Sequence, residues 1–576
     1  MNTRDFDALA QRLGAAHSRR QLLSTATKGA IGGLGSALLS GGIGASGPSG
    51  PLVQHAFARD ATPSPTPAGI HVRPNVHYLD PAGPELTAYA TAVAKMKALP
   101  IEDPRNWLYQ SYIHMFPPDD FGIPLPTDPS QVPAFYAALG AFLARPGRKG
   151  WFTCEHGTSF FWPWHRMQLY WFERIVRDLG EYPDFALPYW DYFDPAQRTL
   201  PEPFRTPADP ANPLWVELRD PDLNAGGVPP LSPRDENAVF GNQCAGFAGT
   251  DFFLASDSLE GVPHNQVHGW VGGGFANPPM VGMMSSPLTS AQDPIFWFHH
   301  ANMDRLWESW LALGNANPPE TDVAWRDNDS NSIGNLGLPY AFFDETGAEV
   351  STIRVVREVL SATDLGYAYE ELFDPVAAMC PEFSDEVISP ASPSAGPPAV
   401  PSTPEALGTN APAESIAVGP DPVAIPVTLE QPEAGPEAVS SGRTVVLTIE
   451  SVHGEGVPGT IFEVYANLPP DQAPDFRSVY FVGYITLFGL QPWDGVVLHG
   501  AHQAADQRFD ITRTVAALEV RGEWTGEFTV TIVPYHAPSA RAIEAVEATP
   551  GAVAATPVAV PPGPWVTFES ISVTVQ

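Results

Sequence analysis

Cysteine is nearly absent. Three thiols in 576 residues, Cys154, Cys244 and Cys380, are too few to staple a fold, and an odd number leaves at least one outside any internal pair. Basic residues are scarce as well: 30 Lys and Arg stand against 65 Asp and Glu, a net charge of −35. Such a surface repels nucleic-acid phosphates and anionic lipid alike, which argues against nucleic-acid and membrane partners. Beyond the N-terminal stretch no segment approaches the run of about 18 apolar residues that a membrane span requires. No Lys or Arg occurs between Arg357 and Arg443. What is present suits ordinary globular cores, with 11% aromatic and 16% charged residues. At this length two domains plus linkers are the natural expectation.

The organisation is multidomain. Twin arginines, Arg19 and Arg20, precede a weakly apolar Gly-rich stretch, and Ala56–Phe57–Ala58 offers a small-x-small cleavage site. This resembles a twin-arginine export signal over residues 1–58, followed by a Pro/Thr linker at 59–69, and it predicts a soluble periplasmic or extracellular protein. Residues 70–388 read as mainly α-helical: Leu86, Tyr89, Val93 and Met96 recur at helical intervals, as do apolar residues from His165 to Leu179. From 389 to 440 the composition turns to Pro, Ala, Ser, Glu and Gly, which predicts an extended, protease-accessible linker. Residues 441–576 carry β-branched and aromatic runs such as "RTVVLTIESV" and "GEFTVTIVPY", the pattern of an antiparallel β-sandwich. His499 and His502 there read as surface loop residues.

Six histidines of the helical segment fall into two groups of three. The first is His114, His156 and His165; the second is His264, His268 and one of the adjacent pair His299 and His300. Spacing i, i+4 puts His264 and His268 on one helical face, a chelating arrangement. Asn265 stands where an HExxH zinc protease has its glutamate, so no general base occupies that position. In "DPIFWFHHANMDRLW" Asp293 is a good N-cap and Pro294 a good first residue, so a helix beginning there carries both His299 and His300. Geometry alone leaves the choice between them open. Two all-imidazole sites suit copper, zinc, iron or nickel, and the lack of a bridging carboxylate disfavours a dinuclear zinc hydrolase.

With both motifs in order, the chain resembles the tyrosinase family of type-3 copper proteins, which includes tyrosinases, catechol oxidases and molluscan haemocyanins. The first signature is "HGTSFFWPWHRMQLYWFE", with Trp162 a departure from the commoner aliphatic residue or Phe. The second is "DPIFWFHHANMDRLW", in which the ligand is the second histidine, His300. The resemblance implies a helical catalytic domain built around a four-helix bundle holding two copper ions, one on His114, His156 and His165, the other on His264, His268 and His300. His71 and His77 are weaker competitors for the first site. His299 becomes a supporting residue. Cys154-Glu155-His156 resembles the arrangement in which a cysteine sulfur bonds to the histidine ring, implying a thioether between Cys154 and His156.

The implied reaction is oxidation of a phenol or catechol by O₂ to an o-quinone. Glu260 and Asn265 match the pair proposed in the family to hold a water that deprotonates the phenol. Gly269 lacks the side chain found after this ligand in strongly hydroxylating members. Pro287 or Leu288 lies at the gate position and implies an open entrance. "VRPNVHYLDP" resembles the family's opening strand, with Arg73 structural, and Tyr367 and Tyr369 resemble the closing YxY of plant polyphenol oxidases. The C-terminal segment resembles the plant domain that covers the copper site of a latent enzyme, which implies an activating protease acting in the 389–440 segment. Because that segment has no Lys or Arg, a trypsin-like protease is not expected to cut there. The alternatives are a haemocyanin-like O₂ carrier and an o-aminophenol oxidase.

Overall fold

The computed structural model describes residues 69–124, 131–229, 231–241, 243–273, 282–331, 336–375, 404–410, 412, 415–454, 461–488, 505–535 and 564–576. The expected signal peptide, residues 59–68 of the first linker, residues 389–403 of the second, His499, His502 and Cys380 lie outside them, as does the side chain of Cys244.

The helical part is organised by two long helices. Among its elements are α1 (Pro84–Ala98), α2 (Trp107–His114), α3 (Val132–Leu143), α4 (Phe161–Leu179), α5 (Phe252–Leu259), α6 (Gln266–Val271) and α7 (Ile295–Ala312). α4 and α7 are buried on nearly every side, charged residues such as Arg166, Glu173, Asp304 and Arg305 included. Their rings interlock: Phe172 stacks on Trp297 at 3.5 Å between centroids, and Trp162 lies parallel to Trp307 at 5.8 Å. α7 begins one residue later than expected, with Pro294 as its N-cap; the Asp293 carboxylate just before it accepts the Ile295 amide and both Nε and Nη2 of Arg219.

A charged hub fixes these helices from beneath. Strand β1 (His71–Arg73) runs parallel to β2 (Tyr367–Tyr369), pairing Arg73 with Tyr369. Arg73, fully buried, donates to Glu173 of α4 at 2.8 Å and to Asp304 of α7 at 3.0 Å. Asp304 also takes Nε of Arg166 and the hydroxyls of Tyr367 and Tyr369. Arg73 is thus a structural residue, and the YxY strand closes the hub over 60 residues downstream of α7's own acid.

The C-terminal part is a ten-stranded antiparallel sheet. Its strands are β3 (Glu405–Asn410), β4 (Ile416–Val418), β5 (Val423–Leu429), β6 (Val445–Gly454), β7 (Ile461–Ala466), β8 (Phe481–Thr486), β9 (Ala505–Asp510), β10 (Glu527–Tyr535), β11 (Val566–Phe568) and β12 (Ser570–Val575). The order is β4-β11-β6-β12-β3-β5-β10-β7-β8, with β9 on the free side of β6. The expected two-sheet sandwich is therefore replaced, among the described residues, by one connected sheet that curls until β8 and β9 meet. Gly483 permits that approach, because a Cβ there would stand 2.8 Å from the Phe509 ring. Helices α8 (Ala434–Ser441) and α9 (Thr512–Arg521) pack together beside it.

The domain boundary is also corrected. Residues 405–440, expected within the 389–440 linker, contribute three strands and all but the last residue of a helix. Val423 to Leu429 alternates between buried and solvated positions, with Ile425, Val427 and Leu429 inside. That period-2 pattern builds a strand whatever the Pro and Ala content around it.

Candidate dinuclear metal site

Four segments of the helical part converge on one buried group of histidines. His114 ends α2, whose N-terminus is capped by Asn106 accepting the Leu108 and Tyr109 amides. The chain then returns: the amides of Phe152, Thr153 and Cys154 donate to the carbonyls of Tyr112, Ile113 and His114. This return brings His156 beside His114 despite the long stretch between them. His165 stands in the second turn of α4, so His114, Cys154, His156 and His165 form one buried cluster with ligand atoms within 4.8 Å of one another. His264, His268, His299 and His300 form the other. His71 and His77 join neither.

The second cluster discriminates between the adjacent histidines. The Nε2 atoms of His264, His268 and His300 form a triangle with sides of 3.1, 3.3 and 3.4 Å. His299 instead lays its ring parallel to His264 at 5.3 Å and against Tyr192 at 5.6 Å, and neither of its nitrogens has a hydrogen-bond partner among the described residues.

The outward nitrogens set which tautomer each ring presents inward. The Nδ1 atoms of His114, His165 and His268 lie 3.0, 2.8 and 2.9 Å from the carbonyls of Pro287, Phe161 and Met284. That of His264 lies 2.8 Å from Asn265 Oδ1. An Nδ1–H donating to oxygen fixes the neutral tautomer with Nε2 as the lone pair. Burial pushes His264 down to about 3, and burial with mutual repulsion holds His165, His268 and His300 well below the usual imidazole range. Neutral imidazoles aimed at one another are a donor set for metal. The two clusters are joined by His165 and His300, stacked 4.3 Å apart at 15°.

Around the rings stand the other expected residues. Cys154 Sγ lies 3.4 Å from Nδ1 and 3.7 Å from Nε2 of His156, and 3.5 Å from Nε2 of His165. Burial raises its thiol pKa. Glu260 is 4% exposed; its Oε1 accepts the Gly157 amide at 2.6 Å, while Oε2 has no partner among the described residues. Burial pushes its carboxyl well above the usual range. Asn265 donates through Nδ2 to Thr486 of β8 at 2.9 Å.

The sheet covers this site. Phe488, just past β8, stacks on the His268 ring at 4.4 Å and 21° and sets its edge against His264 at 5.7 Å and His156 at 5.9 Å. The open entrance expected from Pro287 and Leu288 is thus filled from another part of the chain: Leu288 is itself in the core, 2% exposed, and Pro287 serves through its carbonyl. Polar pairs hold the sheet in place, among them Arg508–Asp257 at 2.6 Å, Arg234 forked onto the fully buried Glu463, and Asn237–Tyr484 at 2.6 Å.

Residues 104–215 and 223–313 match the common central domain of tyrosinase. The helical part carries the central domain of the tyrosinase family. The protein is an oxidoreductase of the tyrosinase/catechol oxidase type, and its two histidine clusters form a dinuclear copper site. A tyrosinase of Hahella sp. (strain CCB-MM4) is 29% identical over 481 residues, which span 76% of this chain and 90% of that protein. A chloroplastic polyphenol oxidase of Malus domestica is 30% identical over 339 residues, 54% of this chain, which spans half of that protein's length. The fold is that of latent apple tyrosinase, with a TM-score of 0.57 at 22% identity over 89% of this chain and 98% of that one. It is equally that of latent aurone synthase, with a TM-score of 0.55 at 19% identity over 89% and 90%. Residues 405–547 match a second family model, a domain of unknown function, and its start coincides with β3.

Sequence reasoning missed Phe488, Thr486, Asp257 and Arg508. Nothing in their local patterns marks them, because their role arises only where the sheet meets the helical part.

Proposed function

We propose that the protein is a polyphenol oxidase held latent by its own C-terminal sheet, oxidising catechols and monophenols to o-quinones once the sheet is displaced. The observation that carries this reading is the Phe488 ring stacked on His268, above the Nε2 triangle of the second cluster. We assign His114, His156 and His165 to one copper and His264, His268 and His300 to the other. α2, α4, α6 and α7 each bring one of these residues, which supports reading them as the four helices of a bundle. Bound copper supplies the redox chemistry with O₂; the protein's residues hold the rings, orient the substrate and move its proton.

A monophenol must lose a proton of pKa near 10, as for a tyrosine side chain. Glu260 and Asn265 line one cavity, and the amide's present partner, Thr486, leaves with the sheet. A water between the two then serves as the phenol's proton acceptor and hands the proton on to the ionised Glu260 carboxylate, whose burial raises its affinity for a proton. The Sγ of Cys154 beside the His156 ring supports a thioether between them, formed as the thiol S–H and a ring C–H give two electrons and two protons to O₂, which leaves the protein lighter by two hydrogens. Displacement follows cleavage between the helical part and β3, a stretch without Lys or Arg, and export by the twin-arginine-type signal places the enzyme outside the cytoplasm. No helix among the described residues is long and apolar enough to cross a membrane.

Oxygen uptake by the copper-loaded protein, before and after proteolysis within residues 389–403, tests this. Catechol turnover is expected to appear on cleavage, with monophenol turnover that Glu260→Gln abolishes while sparing catechol. Uptake with neither substrate by a cleaved protein that still binds O₂ reversibly overturns the oxidase reading.

A further inference from the structure

With Phe488 over the rings, the face through which a substrate would enter is closed to a metal ion as well. A second approach exists. Between the helical part and the sheet lies a cavity of about 80 Å³ that reaches the His156 ring. Water occupies about 30 Å³ per molecule, so it has room for an ion with part of its hydration shell. Its walls carry Asp257 and Glu260 from the helical side and Asp506, Arg508 and Asp510 from β9. Asp251 adds a further negative charge nearby.

The charge balance of these walls is lopsided. Arg508 is the one cation among the described lining residues, and it is spent on Asp257, donating from Nε at 2.8 Å and Nη2 at 2.6 Å. Asp257 Oδ1 and Glu260 Oε2 have no hydrogen-bond partner among the described residues, although both atoms are buried and Glu260 is only 4% exposed. A carboxylate oxygen withdrawn from water without a partner is costly. A passing cation removes that cost. Carboxylate oxygen holds copper less well than imidazole, so an ion resting on these oxygens moves downhill when it reaches His156.

We propose that this acidic cavity is the route by which copper ions enter the site while the sheet is still in place, with Asp506 and Asp510 at the mouth and Asp257 and Glu260 as a transient cation station. The proposal rests on the dinuclear copper reading above. It makes the sheet compatible with metal loading: the same element that closes the substrate face leaves an ion-sized door at the side.

The test uses the full-length apoprotein and a Cu(II) salt as the probe, following the rate of metal uptake and the final copper content. Asp506→Asn and the Asp506→Asn/Asp510→Asn double variant remove charge while keeping an acceptor oxygen, so the hydrogen bonds from the Ser451 and Thr512 amides survive. Uptake by the double variant at low ionic strength is expected to slow about fivefold, with a weaker salt dependence and an unchanged end point of two copper ions per chain. The single variant is expected to fall between. An unchanged rate, or a parent rate indifferent to ionic strength, overturns the proposal. A parent chain that never reaches two copper ions fails the dinuclear reading, a result distinct from a change of rate.

Discussion

Replacing Phe488 with alanine should wake the full-length protein. The ring touches three imidazoles at once, stacked on His268 and edge-on to His264 and His156. Fully burying a phenylalanine side chain contributes about 1.5–3 kcal/mol, and Phe488 is only half-buried, so about half of that is at stake. Aromatic stacking adds about 0.5–1.5 kcal/mol. Together the closed arrangement loses about 2 kcal/mol, which raises the fraction of molecules with an open site about thirtyfold.

When only open molecules react, kcat/KM follows the open fraction. Initial oxygen uptake with a catechol, measured well below KM on intact Phe488→Ala protein, should therefore rise about thirtyfold. Phe488→Leu, which keeps apolar volume but loses the stacking, should rise less. Protein cleaved between the helical part and β3 should show no difference between parent and variant. An intact alanine variant as silent as its parent, in a preparation that cleavage activates, refutes the reasoning: latency would then lie in the polar contacts of the sheet.

Two further perturbations separate ligand from support and hub from site. His300→Ala should bind one copper ion instead of two, whereas His299→Ala should retain both, since only His300 shares the Nε2 triangle; metal analysis of the purified proteins decides between them. Asp304→Asn should destabilise the helical part by about 3 kcal/mol or more at neutral pH, because it leaves Arg166 and Arg73 buried without their counter-charge. Burial alone would raise the Asp304 carboxyl, but Arg166 and then Arg73 outweigh it and hold it below its ordinary 3.8. The folded value lies below the unfolded one, so the contribution is present above pH 3.8 and fades as the pH falls through the folded value. Thermal unfolding of parent and variant should accordingly converge as the pH falls below 3.8 and through the folded value.

The histidines were legible because their constraint is local. A ligand pair at i, i+4, a capped helix carrying His299 and His300, and a Cys-x-His tripeptide all write their geometry into a few consecutive residues. The strands after residue 441 were legible for the same reason. Residues 405–440 were not, because Pro, Ala and Glu dominate the composition there while a strand needs only every second side chain inside, as Ile425, Val427 and Leu429 are. Position along the chain hid the rest. Asn265 meets Thr486 across 221 residues and Asp257 meets Arg508 across 251, and no periodicity or cap encodes such a meeting.

The make-up of that meeting decides how the sheet can leave. Between sheet and helices the apolar contact is small, a cluster of Ala238, Val262, Ile461 and Tyr484, whereas each side keeps a large core of its own. Beside that cluster and the Phe488 ring on the histidines, polar pairs span the interface, among them Arg234–Glu463, Arg508–Asp257, Asn237–Tyr484, Asn265–Thr486 and Tyr535–Asp235. Buried ion pairs add little net affinity once desolvation is counted, but they fix orientation. An interface of this kind sets the Phe488 ring accurately over the histidines while the covalent connection keeps the sheet's effective concentration high. Once the connection is cut that concentration is lost, and the groups uncovered on the helical side are mostly ones that water can satisfy. Cleavage alone should then open the site without unfolding either part, so cleaved protein should gain catechol turnover while its thermal unfolding is unchanged.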